Sequence, residues 1–461
     1  MRWSGPNPVK KARKPQFPGE QARNCLQDTS AACWALLPLF AIFCGTLLAE
    51  TPAARRHSAP LVAANGSVPQ ATVETKTIKL KLVDGRDIRF RQIPAVNGLS
   101  QTRAGMTVQD RLGFLWFGTQ YGLDRFDGSR FKVFRHEPGD PNSLGGVYVK
   151  NLFVDHSGTL WVACDQSLDR FDPVTETFTH FRIGRQGMNE NVAAISISED
   201  RYGKLWLATL KGLFMLDPAN GHTVRYTHDP NDPSSLSGNE INFADEDRQG
   251  TFWVASSGEL DAFDRNSGKV TRHIRLSNPS PFMFHEDRFG SFWIGRDSPD
   301  CPLAVLDRKD STLNCYSFYE GAHRATTIAG IYTMLESRDG TMWMATSGAG
   351  LLKYDRVHNT LVRYKNHPED NESLGGNSVI QLFEDNESDI WVDLHEAAPF
   401  FFSERPSAFE NFTHQRGELR RSLVTSIYED RRKVLWIGST GALNRIDRAN
   451  GTNTVPPGVG T

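Results

Sequence analysis

Eight tryptophans in register, an acidic–basic–glycine turn ahead of them, and apolar runs too short for helices predict an all-β fold. The expected architecture is a β-propeller of four-stranded blades, seven or eight in number. The tryptophans are Trp116, Trp161, Trp206, Trp253, Trp293, Trp343, Trp391 and Trp436, so one period of about 45 residues explains eight of the ten in the chain.

Each element of the repeat has its own signature. An apolar run such as Val192 to Ile197 reads as strand a. A turn follows, as in Glu199-Asp200-Arg201-Tyr202-Gly203, Glu246-Asp247-Arg248-Gln249-Gly250 and Glu286-Asp287-Arg288-Phe289-Gly290. Strand b carries the Trp: LWFGT from Leu115, LWVAC from Leu160, LWLAT from Leu205 and LWIGS from Leu435. A short turn, often with Gly, leads to strand c, seen as GLDRFD after Tyr121, and an Asp-containing turn leads to strand d. Apolar residues at i, i+3 and i+4 are missing, which excludes helical repeats.

A single four-stranded sheet has two apolar faces and cannot cover both. Stacking sheets around an axis covers them, so the repeated Trp is expected in the core between blades, where truncation costs on the order of 3 kcal/mol.

Hydrophobic residues make up 39% and charged residues 23% of the 461, as in an ordinary globular protein. The formal net charge of −2 gives no basic footprint for nucleic acid, which is not an expected partner. The N-terminus differs: Arg2, Lys10, Lys11, Arg13, Lys14 and Arg23 precede the uncharged stretch Ala32 to Ala49. This reads as a signal peptide or membrane anchor that would place the rest of the chain in the periplasm or another extracytoplasmic space. Phe43 before Cys44 argues against a lipoprotein. The expected division is 1–31 basic flank, 32–49 signal or anchor, 50–77 flexible linker, 78–450 propeller and 451–461 tail. Outside the N-terminal segment only Cys164, Cys301 and Cys315 remain, with no CxxC spacing; buried free thiols are expected rather than a Cys301–Cys315 bridge.

The repeat LWxGTxxGLxRFD preceded by EDRxG resembles the two-component regulator propeller repeat. Asn97-Gly98-Leu99-Ser100-Gln101 resembles that family's lead-in, and the linkers HEPGDPNSL from His136, HDPNDPSSL from His228 and HPEDNESL from His367 recur with it. The resemblance covers residues 78 to about 450. It implies the exported sensor region of a membrane histidine kinase, commonly a hybrid kinase, in a family often linked to polysaccharide fragments. Members typically carry two seven-bladed propellers, a β-sandwich, a membrane helix and the kinase, so relative to them this chain looks truncated. A kinase partner or missing downstream domains would carry the signal. The family's ring size favours seven blades with one unit left over.

No G-x-S-x-G elbow, P-loop or HExxH motif is present, and no cofactor or metal is expected. Repeated Asp and Glu read as turn residues, and His136, His228 and His367 as parts of the linkers. Strands alternate in direction, so b–c turns and d–a linkers share one face of the ring. Two b–c connections on that face depart most from the repeat: Arg296 to Cys301, and Asp393 to Pro399. Arg296, Asp297, His395 and Glu396 are therefore the candidate ligand-binding residues. The expected function is ligand sensing, with a carbohydrate, peptide or partner protein on that face. Alternatives are a protein-binding scaffold or, from similar repeats in streptogramin-cleaving lyases, a propeller enzyme, which would need a His and Glu cluster at the axis.

Overall fold

The computed structural model describes residues 68–454 apart from 69, 94–97, 102–103, 166, 182, 184–192, 257, 277–280, 325–327, 329, 405–418, 420–422 and 448–451. The expected basic flank, the apolar stretch from Ala32 to Ala49 and residues 455–461 lie outside these. The described elements are all strands.

Blade one sets the pattern: strand a Ala104–Gln109, b Leu115–Thr119, c Gly122–Phe126 and d Phe131–Phe134, each antiparallel to the next. Blades two to six span 149–181, 196–226, 241–275, 281–320 and 331–364 with the same order. Strand b is buried along its whole length in blades one to six, which is why it is a continuous apolar run rather than an alternating one. Among the described residues, blade seven has three strands from its own repeat, Val379–Glu384, Asp389–Leu394 and Phe400–Ser403.

The fourth strand of this sheet comes from the N-terminal side. β1 (Gln70–Thr72) runs parallel to strand d of blade four. β2 (Glu74–Asp84) runs parallel to strand d of blade five and then steps to strand d of blade six. β3 (Arg91–Gln92) pairs antiparallel with Phe400 and Phe401 and completes blade seven. Residues 70–92 thus form a strap along the outer edges of four blades. The expected linker 50–77 is corrected here, because residues 70–72 and 74–77 are in β1 and β2. The physical reason is that an outer strand is half-exposed and needs few apolar residues: Leu80 and Leu82 are buried while Lys79 and Lys81 face solvent.

Strands a pack in succession from blade one to blade seven, and strand a of blade seven packs against strand a of blade one. Trp391 of blade seven lies with Ala104, Leu115 and Phe117 of blade one, closing the cycle of contacts. Trp116, Trp161, Trp206, Trp253, Trp293, Trp343 and Trp391 are buried, and Trp116 sits among Val149, Leu152 and Leu160 of the next blade.

The eighth unit forms a separate four-stranded sheet: Val424–Glu429, Val434–Ser439, Ala442–Asp447 and Thr452–Thr454. Its strand a is exposed at all six positions, and Trp436 is only half-buried.

Candidate functional site

Two repeated polar networks organise the two ends of the blades. On the face of the a–b turns, the turn aspartate does two things. In blade two, Asp155 Oδ1 accepts the Thr159 N–H, while Oδ2 accepts the Trp161 Nε1–H at 2.8 Å. Asp110, Asp200, Asp247, Asp287, Asp385 and Asp430 hold Trp116, Trp206, Trp253, Trp293, Trp391 and Trp436 in the same way. Blade six has Ser337 at this position, and Trp343 donates instead to Glu404 from the following blade at 3.0 Å. A buried indole N–H left without an acceptor would be costly, so the repeat couples Asp and Trp.

The glutamate beside that aspartate links neighbouring blades. The backbone N–H of Arg201 donates to Glu246, that of Arg248 to Glu286, that of Arg288 to Glu336 and that of Arg338 to Glu384. At the closing junction Asn386 N–H donates to Gln109. This inter-blade handshake was not anticipated from the sequence.

The opposite face, with linkers and b–c turns, has its own network. Asp169 accepts the Gly145 N–H and the Nδ1 of His180, whose Nε2 lies 3.0 Å from the Pro141 carbonyl. Asp261, Ser237, His273 and Pro233 repeat that arrangement in blade four. Burial tends to lower the His273 pKa, but its bond to Asp261 outweighs that and raises it. Blade one keeps the aspartate, Asp124, with Ser100 as donor, but Val133 stands where His180 and His273 stand. Asp124 Oδ1 is buried without a hydrogen-bond partner, and burial pushes the carboxyl up to about 6.

Glu259, Asp261 and His273 lie close enough to suggest a cation site. Both His273 nitrogens are engaged, one by Asp261 and Ser237 and the other by the Pro233 carbonyl, so the cluster is a linker clamp like that around His180. His136 and His228 likewise sit on the carbonyls of Leu144 and Leu236 within their own linkers.

The four candidate residues occupy this face on two different blades, with blade six between them. Arg296 ends strand b of blade five opposite Pro281 and is buried; it donates to the Leu276 carbonyl, and burial lowers its pKa. Asp297 is exposed beside Gly330 at the entry to blade six. His395 and Glu396 are exposed on the b–c connection of blade seven. Two residues outside the expected set lie one and two positions along the chain from Pro281 and Gly330, the neighbours of Arg296 and Asp297: Phe282 and Tyr332, half-buried at the linker ends of adjacent innermost strands, with ring centroids 5.0 Å apart. Nothing in the repeat marked them, because that position varies from blade to blade.

The blade-five connection also corrects the cysteine reading. Cys301 and Cys315 form a disulfide, their Cα atoms 5.4 Å apart, because the long b–c loop folds back onto strand d. Cys164 is free and buried.

Innermost strands bring His285 within 3.5 Å of Glu336. Glu336 is already held by the Arg288 N–H and Nε, so the pair belongs to the handshake.

The sheets and their two polar networks define an all-β propeller built from one repeated unit. Residues 418–441 match the profile described as two component regulator propeller. The chain is similar to a histidine kinase of Formosa agariphila, 42% identical over 55 residues, which are 12% of this chain and 4% of that protein. Its fold is similar to the extracellular domain of a putative hybrid two component system from B. thetaiotaomicron: TM-score 0.65, 23% identity, 80% of this chain and 49% of that one. It is also similar to virginiamycin B lyase from Staphylococcus aureus, with TM-score 0.52, 12% identity, 68% of this chain and 99% of that one. The matched segment carries one two component regulator propeller repeat, and the fold is that of a β-propeller. It spans about half the length of the extracellular domain it matches. Among the described residues no helix is long and apolar enough to cross a membrane.

Proposed function

We propose that this chain is the extracytoplasmic, non-catalytic sensing propeller of a two-component system, taking a carbohydrate or a partner protein on its linker face. The observation that carries the ligand reading is the group at the linker ends of blades five and six. Phe282 and Tyr332 offer aromatic surface for a sugar, and exposed Asp297 lies at the neighbouring Gly330. The disulfide Cys301–Cys315 suits an oxidising compartment. The extracellular setting of the similar domain supports the same location. Signal output would lie with a kinase, either a partner or another part of a longer protein.

Arg296 is buried, so its alanine variant would disturb packing as well as binding. The test uses Asp297→Ala and Tyr332→Ala. A panel of oligosaccharides should contain one that stabilises the native protein, by about 2.7 kcal/mol at a hundred times its Kd. Both variants should weaken that binding. If no sugar shifts the melting temperature while a protein partner still binds this face, the scaffold reading replaces the carbohydrate one.

A further inference from the structure

The junction between blades seven and one differs from every other blade junction in one buried pair. Two residues after the Trp of strand b, the other units carry Gly118, Ala163, Ala208, Ala255, Gly295, Ala345 and Gly438. Small residues are needed there because the next blade presses on them: a Cβ at Gly118 would lie 2.7 Å from Val149 and 3.6 Å from Leu152. Blade seven instead places Asp393 at this point, 1% exposed. The residue facing it is Thr107, 0% exposed, where blades two to seven have Leu152, Ile197, Ala244, Phe284, Met334 and Leu382. Thr107 Oγ1–H donates to Asp393 Oδ1 at 2.7 Å. Gln381 of blade seven adds a grip on the same peptide, accepting the Thr107 N–H at 2.8 Å and donating to its carbonyl at 3.4 Å. Ala104 takes the place of Val149 and leaves room for the carboxyl.

The eighth unit follows blade seven in the chain and repeats most of what blade one presents to that surface. It has the same turn and the same Trp, and Glu429 could accept the Asn386 N–H as Gln109 does. Yet it would bring Ile427 to Asp393 in place of Thr107, and Val424 in place of Ala104. A carboxyl buried against isoleucine loses the hydroxyl donor that Thr107 supplies, and losing that bond in a buried site costs more than a mismatch between two aliphatic residues.

We propose that Asp393 and Thr107 form a polar key that selects blade one over the eighth unit as the partner of blade seven, so that the ring closes at seven, while Gln381, which holds only the backbone of residue 107, adds grip without choosing between the two units. The consequence is visible in burial. Ile427 is 65% exposed, whereas the residues at its position in blades one to seven are buried. Burial holds the Asp393 carboxyl up at about 7, in keeping with a group tolerated only where a partner is provided. The strap also brings blade one towards blade seven, since β3 lies shortly before Ala104 in the chain, and the test leaves the strap untouched.

Hydrogen exchange on the full chain reads the choice directly, comparing strands 104–109 and 424–429 in the native protein, Thr107→Ile, and Thr107→Ile with Asp393→Ala. In the native protein the first strand should be protected and the second should exchange freely. The single variant should speed exchange of 104–109 about tenfold or more. The double variant makes this junction aliphatic like the others; it should regain stability and show partial protection of 424–429 as the two units compete. A double variant no better than the single one, or one in which 424–429 stays as open as in the native protein, overturns the key and leaves closure to the strap alone.

Discussion

Asp124, Asp169 and Asp261 occupy one position in three blades, and their neighbours give them different electrostatics. Asp169 and Asp261 each face a histidine. Asp124 faces Val133, keeps only Ser100 as a donor, and is raised from 3.8 to about 6 by burial. A carboxyl with a raised folded pKa holds its proton more tightly in the native state. Its contribution to stability is therefore fully present below 3.8 and lost as the pH rises through about 6. Asp124→Asn keeps an oxygen for Ser100 and cannot ionise. It should be more stable than the native protein by about 2 kcal/mol at neutral pH and lose that advantage near pH 4, as urea unfolding at the two pH values would measure. The sequence showed the aspartates as turn and strand residues. It did not show which of them had a partner, because the histidines sit on strand d, eleven or twelve positions further on.

At the scale of the element, the a–b turn is a unit in which one aspartate fixes two structures. Asp155 ties the turn through Ser157 and Thr159 and ties strand b through Trp161. Its hydrogen bonds to these groups outweigh burial and hold its carboxyl below the usual range. Asp155→Ala should cost about 3 kcal/mol, since it leaves a buried indole N–H unsatisfied and releases the turn. Asp430→Ala in the eighth unit should cost clearly less, because Trp436 is half-exposed and water can replace the acceptor. Equilibrium unfolding of both variants checks the contrast. The turn and the Trp were each legible as repeats. Their bond was not, since six residues of separation mean contact only once the hairpin is folded. Blade six makes the same point, for Ser337 breaks the motif and Glu404, sixty-one residues beyond Trp343, repairs it. The cysteines are a further case: fourteen residues separate Cys301 from Cys315, and the shape of an irregular loop brought them together.

The whole molecule depends on a strap that the repeat does not contain. Phe90 packs edge-on against Tyr364 of blade six and Phe402 of blade seven, and its backbone N–H donates to the Glu372 carbonyl. Asp84 adds bonds to Arg363 and Lys365 of blade six. Phe90→Ala should cost about 3 kcal/mol, with faster hydrogen exchange in blade seven before blades one to three. Uniform loosening of all blades would count against a local role for the strap.

The sequence by itself determined the repeat, the four-stranded blade and the buried tryptophans, because strand periodicity and turn chemistry act over neighbouring residues and every copy states them again. Only the tertiary structure decided how the cycle of contacts closes, which strand completes blade seven, and which polar side chains meet across blades. Those choices join residues far apart in the chain, as Thr107 and Asp393 are, and a code read along the backbone does not say which distant surfaces will exclude water together.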